Sequence, residues 1–204
     1  MSPTPLLLAP LRLEAAALRR GSRQVQIEHI GMGPVRATAA RVRLGGRERA
    51  GRPIVLAGVA GGLVDDLSPG DIVVATAVGT TESDESIALF GAGELAEHLA
   101  SAGLAPRLAP IICSPRILRG AERRGKAAAS GALVVEMEAL WLTPLGQRHP
   151  FAVVRVVLDT VGAELGSRAT PRAAARAYQS LRELARALET WAPAHLEDPS
   201  RRSH

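Results

Sequence analysis

The sequence predicts an α/β protein, a three-layer sandwich built on a central, twisted, mixed sheet that is largely parallel. Three observations lead there. Short apolar runs alternate with Ala-rich stretches of helical period along the 204-residue chain, the pattern of strands separated by helices. The runs are continuously apolar rather than alternating, as strands are when both faces of a sheet are covered. No internal repeat or linker interrupts the alternation, so residues 1–192 are expected to form one domain and residues 193–204, with the polar end "EDPSRRSH", a loose tail.

In chain order, "LLLA" (6–9) is a buried strand and "LRLEAAALRR" (11–20) the helix after it. "VQIEHI" (25–30) is a second strand. "GMGPVRATAARVRL" (31–44) is a glycine turn feeding a helix, with Pro34 suited to a first helical turn. "PIVLAG" (53–58) and "DIVVATAV" (71–78) are strands rich in β-branched residues. "GELAEHLASAG" is a helix, "PRLAPIICS" a strand, and "LRGAERRGKAAAS" (118–130) is helical in composition. "ALVVEM" (132–137) is a strand, "EALWLTPLGQ" starts as a helix, and "FAVVRVVLD" (151–159) is the longest strand. A last helix runs from about Pro171 to Trp191. Its stripe of Tyr178, Leu181, Leu184, Ala185, Leu188 and Trp191 has helical spacing and is expected to pack on the sheet. An interfacial membrane helix is the alternative reading of that stripe.

Composition narrows the function classes. Hydrophobic residues make up 47% of the chain, which excludes disorder, but aromatics only 2%, too few for a protein that stacks on nucleic-acid bases. The net charge is +5, Lys126 is the only lysine, and the arginines are scattered, as on solvated faces rather than a nucleic-acid patch. The single cysteine, Cys113, excludes an internal disulfide framework and reads as an inert core thiol. The five histidines show no metal spacing. The N-terminal apolar run is too short for a signal peptide, and no stretch is long enough to span a bilayer, so a cytoplasmic location and no membrane insertion are expected.

In such sheets ligands sit beyond the carboxyl ends of the strands. Glu14 follows the first apolar run, "GMGPVR" the second, "GVAGGL" the third, "CSPR" the strand that ends at Cys113, "EME" (136–138) the next, and Asp159 the last. Three acidic positions and two glycine turns thus converge on one edge. Each has a structural alternative. Glu14 would be an exposed carboxylate favoured by the helix dipole, Asp159 a cap for the next segment, and Glu138 a cap for the "ALWL" helix. "GMG" lacks a full dinucleotide fingerprint.

Taken together, "GVAGGLVDDLSPGDIVVATAV", "VVEMEA" and "FAVVRVVLDT" resemble, in that order, the nucleoside phosphorylase family, most closely its methylthioadenosine/adenosylhomocysteine nucleosidase branch. The short length and "APLRLEAAALRRG" are also similar to the hopanoid-associated phosphorylases of that family. The resemblance implies cleavage of the N-glycosidic bond of a purine nucleoside, most simply an adenine nucleoside modified at its 5′ position. It assigns Asp159 as the general acid near purine N7 and Glu14 as the residue that orients the attacking water. Glu138, beside Glu136, would bind the ribose hydroxyls, with Met137 a soft wall against the sugar. Val59, Ala60 and Gly61 would border the purine and ribose pocket, Gly61 and Gly62 turning the backbone beside the ligand without a Cβ in the way. Gly70 is a plain turn residue. Arg155 would support a carboxylate. No cofactor is implied, but inorganic phosphate is an alternative co-substrate to water, with Arg36 and Arg116 the candidate phosphate contacts. A homodimer is expected, with residues 79–93 as the place to look for the partner.

Four departures stand against the resemblance. Leu158 replaces the serine before the catalytic aspartate, and Val59 replaces a common serine. "CSPRIL" keeps Ser114, which the resemblance implies as a substrate-binding residue, but has Arg116 in place of an aspartate. The segment after "VVATAV" is short, which suits a more extended 5′-substituent or a pocket closed by a partner subunit. A catalytically degenerate nucleoside-binding member is therefore the second reading.

Overall fold

The computed structural model describes residues 4–47, 51–83, 85–120, 122, 125, 131–160, 162 and 170–193. The eight strands are β1 (Leu6–Ala9), β2 (Gln26–His29), β3 (Ile54–Gly62), β4 (Ile72–Thr80), β5 (Ser86–Ala88), β6 (Pro106–Cys113), β7 (Val134–Glu136) and β8 (Phe151–Asp159). Between them lie the helices α1 (Arg12–Gly21), α2 (Pro34–Arg47), α3 (Ala92–Ser101), α4 (Ala139–Leu142) and α5 (Thr170–Ala187), with 3-10 turns at Thr143–Gln147 and Leu188–Thr190. The expected helix over 118–130 lies mostly outside the described residues, as do the segment that follows Thr160 and the tail from residue 194.

The strands pair in the order β2-β1-β3-β7-β6-β4-β5, and β8 bridges β3 and β4. Pairing is parallel between β1 and β2, β1 and β3, β3 and β8, β4 and β6, and β6 and β7. It is antiparallel between β3 and β7, β4 and β5, and β4 and β8. The circuit β3–β8–β4–β6–β7 therefore closes on itself, while β1 and β2 extend one side. Closure leaves the inner strands without free edges.

Both faces are covered, which is why the strands read as continuous apolar runs. On one face Leu7, Val55, Val74, Val154 and Val156 pack with residues of α1, α3 and α5. On the other, Leu6, Leu8, Leu56, Val73 and Val153 pack with α2, α4 and the 3-10 turn after it. Adjacent residues of β1 thus serve different cores, as the period of two requires. Leu181, Leu184, Ala185, Leu188 and Trp191 are all buried. They pack against α1 and the sheet, each large apolar side chain contributing roughly 1.5–3 kcal/mol. The stripe is therefore core, and the interfacial membrane reading of it is overturned. No described helix is long and apolar enough to cross a membrane.

One expectation needs correction. Gly61 and Gly62 do not turn the chain. They continue β3, pairing with Val135 and Val134 of β7, and neither has a positive φ. The strand runs on because β7 and β8 both offer it backbone partners at this point, with a register shift between Ala60 and Gly61. Gly70, by contrast, has φ +101° and is a turn residue. Strand β5 was not expected at all.

Candidate active site

A cavity of about 160 Å³ opens at the carboxyl ends of the strands. Its floor carries four buried carboxylates, Glu14, Glu136, Glu138 and Asp159. Chain connectivity explains the gathering. Parallel β1, β3 and β8 end on the same side, and β7, lying between β3 and β6, delivers its last residue there too.

Glu14 sits at the third position of α1. Its carboxylate reaches back to accept the Leu11 N–H at 2.6 Å and, through the other oxygen, the Val59 N–H at 2.7 Å. One side chain thus ties the start of α1 to the middle of β3. It is buried, so the reading of an exposed dipole-favoured carboxylate is set aside. Burial raises its pKa, against the two backbone hydrogen bonds and the nearby Arg155, which favour the charged form.

Arg155, in the middle of β8, is fully buried. Its Nη2 donates to Glu136 and, at 3.0 Å, to Glu138 Oε2. Nε and Nη1 have no hydrogen-bond partner among the described residues. Burial works against its charge, but the carboxylates of Glu136, Glu138 and Glu14 outweigh burial and hold the guanidinium protonated. Space for this arrangement comes from Gly58. A Cβ there would lie 2.7 Å from Arg155 Nη1 and 2.8 Å from Glu14 Oε1.

The two glutamates of "EME" have different tasks. Both oxygens of Glu136 accept the Ala139 N–H, at 3.0 and 2.9 Å, and Oε2 also accepts the Glu138 N–H at 3.0 Å. Its carboxylate therefore closes the N-terminus of α4 and anchors Arg155. It lines the cavity but has little acceptor capacity left for a ligand. The cap expected of Glu138 is supplied by Glu136, since the side chain of Glu138 makes no cap hydrogen bond. Glu138 instead accepts the Gly33 N–H at 2.9 Å on Oε1 and Arg155 on Oε2. Gly33 can present that N–H because the turn holds it at φ +87°. Burial, reinforced by the charge of Glu136 and opposed by Arg155, raises the Glu138 carboxyl to about 7. Three carboxyl groups surround one cation, and burial favours the protonated form of Glu14 and of Glu138.

Asp159 ends β8 and lines the same cavity, with Leu158 beside it. Val59, Ala60, Gly61 and Met137 form walls, as expected. Ser114 does not reach the cavity. Its N–H donates to the Glu136 carbonyl and its hydroxyl to the Arg116 carbonyl at 2.7 Å, so it fastens the loop after β6 to β7. Arg36 also lies outside the lining, exposed at the start of α2 with its side chain over Gly31. Arg116 is at the rim, where it pairs with Glu122. Cys113 is buried in the core, and burial pushes its thiol up, as the inert reading requires. Sequence reasoning missed the apolar rim of Met32, Ile117 and Leu118 and the nearby Arg119. These come from turns with no periodic signal.

A buried floor of acids, apolar walls and a rim reached from solvent define an enzyme pocket for a small polar molecule with an apolar portion. Residues 14–189 match the family model described as the phosphorylase superfamily, and the chain belongs to that family. No curated protein sequence matches the chain. Among solved structures it is similar to the 5′-methylthioadenosine/S-adenosylhomocysteine nucleosidase of Helicobacter pylori, at 19% identity over 93% of this chain and 99% of that one, with a TM-score of 0.76. It is similar to the futalosine hydrolase of the same organism, at 18% identity over 92% and 97% of the chains, with a TM-score of 0.74. The nucleosidase of Campylobacter jejuni matches at 15% identity over 92% and 99%, also with a TM-score of 0.74. The protein is thus an α/β enzyme of the phosphorylase superfamily.

Proposed function

We propose that the protein hydrolyses the N-glycosidic bond of a purine nucleoside, with adenine as the base and a modified 5′ position. The observation that carries this reading is the convergence of Glu14, Glu138 and Asp159 on one cavity from three distant parts of the chain. As the bond between C1′ and the purine nitrogen breaks, its electron pair goes to the base. Asp159 supplies a proton to the purine, so that the base leaves neutral. The sugar carbon becomes oxocarbenium-like and is met by water from the other face. Glu14 orients that water and takes its proton. A carboxylate raised by burial is the stronger base for that task. Glu138 accepts hydrogen bonds from the ribose diol, and Met137 lies against the sugar. Arg155 and Glu136 are positioning residues, holding Glu138 and the start of α4.

Water rather than phosphate is favoured by charge. The floor is lined by four acids, and the fully buried Arg155 is already engaged by two of them. A dianion placed there would meet like charge at short range. Arg116 is paired with Glu122 at the rim, and Arg36 is outside the lining. The test is release of free base from adenosine, methylthioadenosine and inosine, with and without phosphate. Release that does not depend on phosphate supports hydrolysis. Formation of a sugar 1-phosphate would overturn it, and no release with retained nucleoside binding would favour the degenerate member.

We further propose that the protein acts as a homodimer. Ile87 and Phe90, within the segment 79–93, are 44% and 67% exposed, Ile87 lying in the edge strand β5 and Phe90 two residues after it.

A further inference from the structure

Helices α1 and α5 pack against each other on one face of the sheet, so their solvent sides point the same way. Those sides are basic. From α1 and the turn after it come Arg12, Arg19, Arg20 and Arg23, all exposed. On α5, Arg172, Arg176, Arg182 and Arg186 are exposed on one stripe, opposite the stripe that enters the core. That stripe runs about 21 Å along the helix. None of these arginines forms an ion pair among the described residues, whereas Arg43, Arg107 and Arg116 do so elsewhere on the surface. The only carboxylate of α5, Glu183, accepts a hydrogen bond from Gln179. Helix dipoles account for Arg19, Arg20 and Arg186, which stand in last turns. The others have no such local reason. Dispersed in the sequence, the arginines are gathered into one face by the packing of two helices.

Leu13 adds an apolar element to this face. It is 65% exposed, directly after Arg12 and on the same outward side of α1 as Arg20. We propose that the α1–α5 face docks on an anionic phospholipid surface, with arginine forks on lipid phosphates and Leu13 entering the interfacial layer. Unpaired arginines are drawn to a surface of fixed negative charge. An apolar side chain set among them supplies a second contact that a bilayer accepts. A nucleic-acid backbone would satisfy the arginines but offers Leu13 nothing. The one aromatic residue of α5, Tyr178, is half-buried against the core, so the face has no free ring for a base. Docking of this kind is peripheral, needs no spanning segment, and is independent of the reaction proposed above.

The experiment is co-sedimentation of the full chain with vesicles of phosphatidylcholine alone and of phosphatidylcholine with about 30% phosphatidylglycerol. The proteins are the wild type, R172Q/R176Q, R182Q/R186Q, L13S and, as a control outside the face, R107Q. The wild type should bind the anionic vesicles and not the neutral ones, and salt at about 0.5 M should release it. Each double variant should bind about 25-fold more weakly, roughly fivefold for each arginine removed, with its melting temperature unchanged. L13S should weaken binding by a factor that does not vary with salt, and R107Q should bind as the wild type does. Equal binding to neutral and anionic vesicles, or binding to neither, would overturn the proposal. So would wild-type affinity in either double variant or in L13S, or tighter binding to a short DNA duplex at the same concentration of phosphate.

Discussion

Arg155 and Glu138 form a buried ion pair at the centre of the site, Nη2 to Oε2 at 3.0 Å, with side-chain exposures of 0% and 4%. The arginine comes from the middle of β8 and the glutamate from the turn that joins β7 to α4, and β7 and β8 do not pair with each other. Gly58, the β3 residue paired with Arg155 in the sheet, leaves room for the guanidinium. The pair converts a fold feature into a ligand-facing acceptor.

Arg155→Met keeps much of the volume and removes the cation. Glu136 and Glu138 would then be buried together without a counter-charge. Breaking a buried pair in this way costs about 3–5 kcal/mol. Chemical denaturation should report a loss of that order, and the nucleoside KM should rise in any protein that still folds.

Stability should depend on pH through Glu138. Its carboxyl is raised from 4.5 to about 7, so the folded state holds a proton that the unfolded chain has released. The stabilisation is complete below about 4.5 and is lost as pH rises through about 7. The melting temperature should fall across this window, at no more than about 1.4 kcal/mol of stability per pH unit from this group. Glu138→Gln should flatten the slope. The ionised form is the better acceptor for a diol, so KM should fall as pH rises through the same range. A slope unchanged by the substitution would contradict the assignment.

Gly58→Ala tests the packing behind the site. The added methyl would meet Arg155 and Glu14, both held by hydrogen bonds that resist displacement. Overpacking of this kind costs about 1–3 kcal/mol. Activity should fall further than stability, because the groups displaced are those that position water and the sugar. Wild-type kinetics in this variant would show that neither group needs its present place.

The dimer is tested at Phe90. Phe90→Asp should shift sedimentation at micromolar concentration from dimer to monomer with little effect on the fold of the subunit. A wild-type protein that sediments as a monomer contradicts the proposed assembly.

Much of this architecture is legible in the sequence. "LLLA" and "FAVVRVVLD" coincide with β1 and β8 because a strand covered on both faces leaves an uninterrupted apolar run. The acids of the floor are legible because they stand where those runs stop. Other features are not. Ser86–Ala88 is a strand only because β4 offers it a partner, and its three residues are all exposed. The glycines of "GVAGG" suggest a turn, yet β7 and β8 extend the strand through them. "EME" does not reveal which glutamate closes α4, since that depends on where the helix begins. Ser114 and Arg36 point elsewhere for local reasons, a hydroxyl bond to the next turn and a seat over Gly31. The rim of Met32, Ile117 and Arg119 is assembled from loops, where residue type carries no period.

The central claim is that Asp159 protonates a purine held above Glu138 and Glu14. The most direct measurement is base release from methylthioadenosine by the wild-type protein and by Asp159→Asn, with melting temperature and nucleoside binding recorded on the same samples. The account predicts turnover in the wild type and a loss of about 100-fold or more in the variant, with fold and binding retained. Equal rates in the two proteins, or no base released by the wild type, would contradict it.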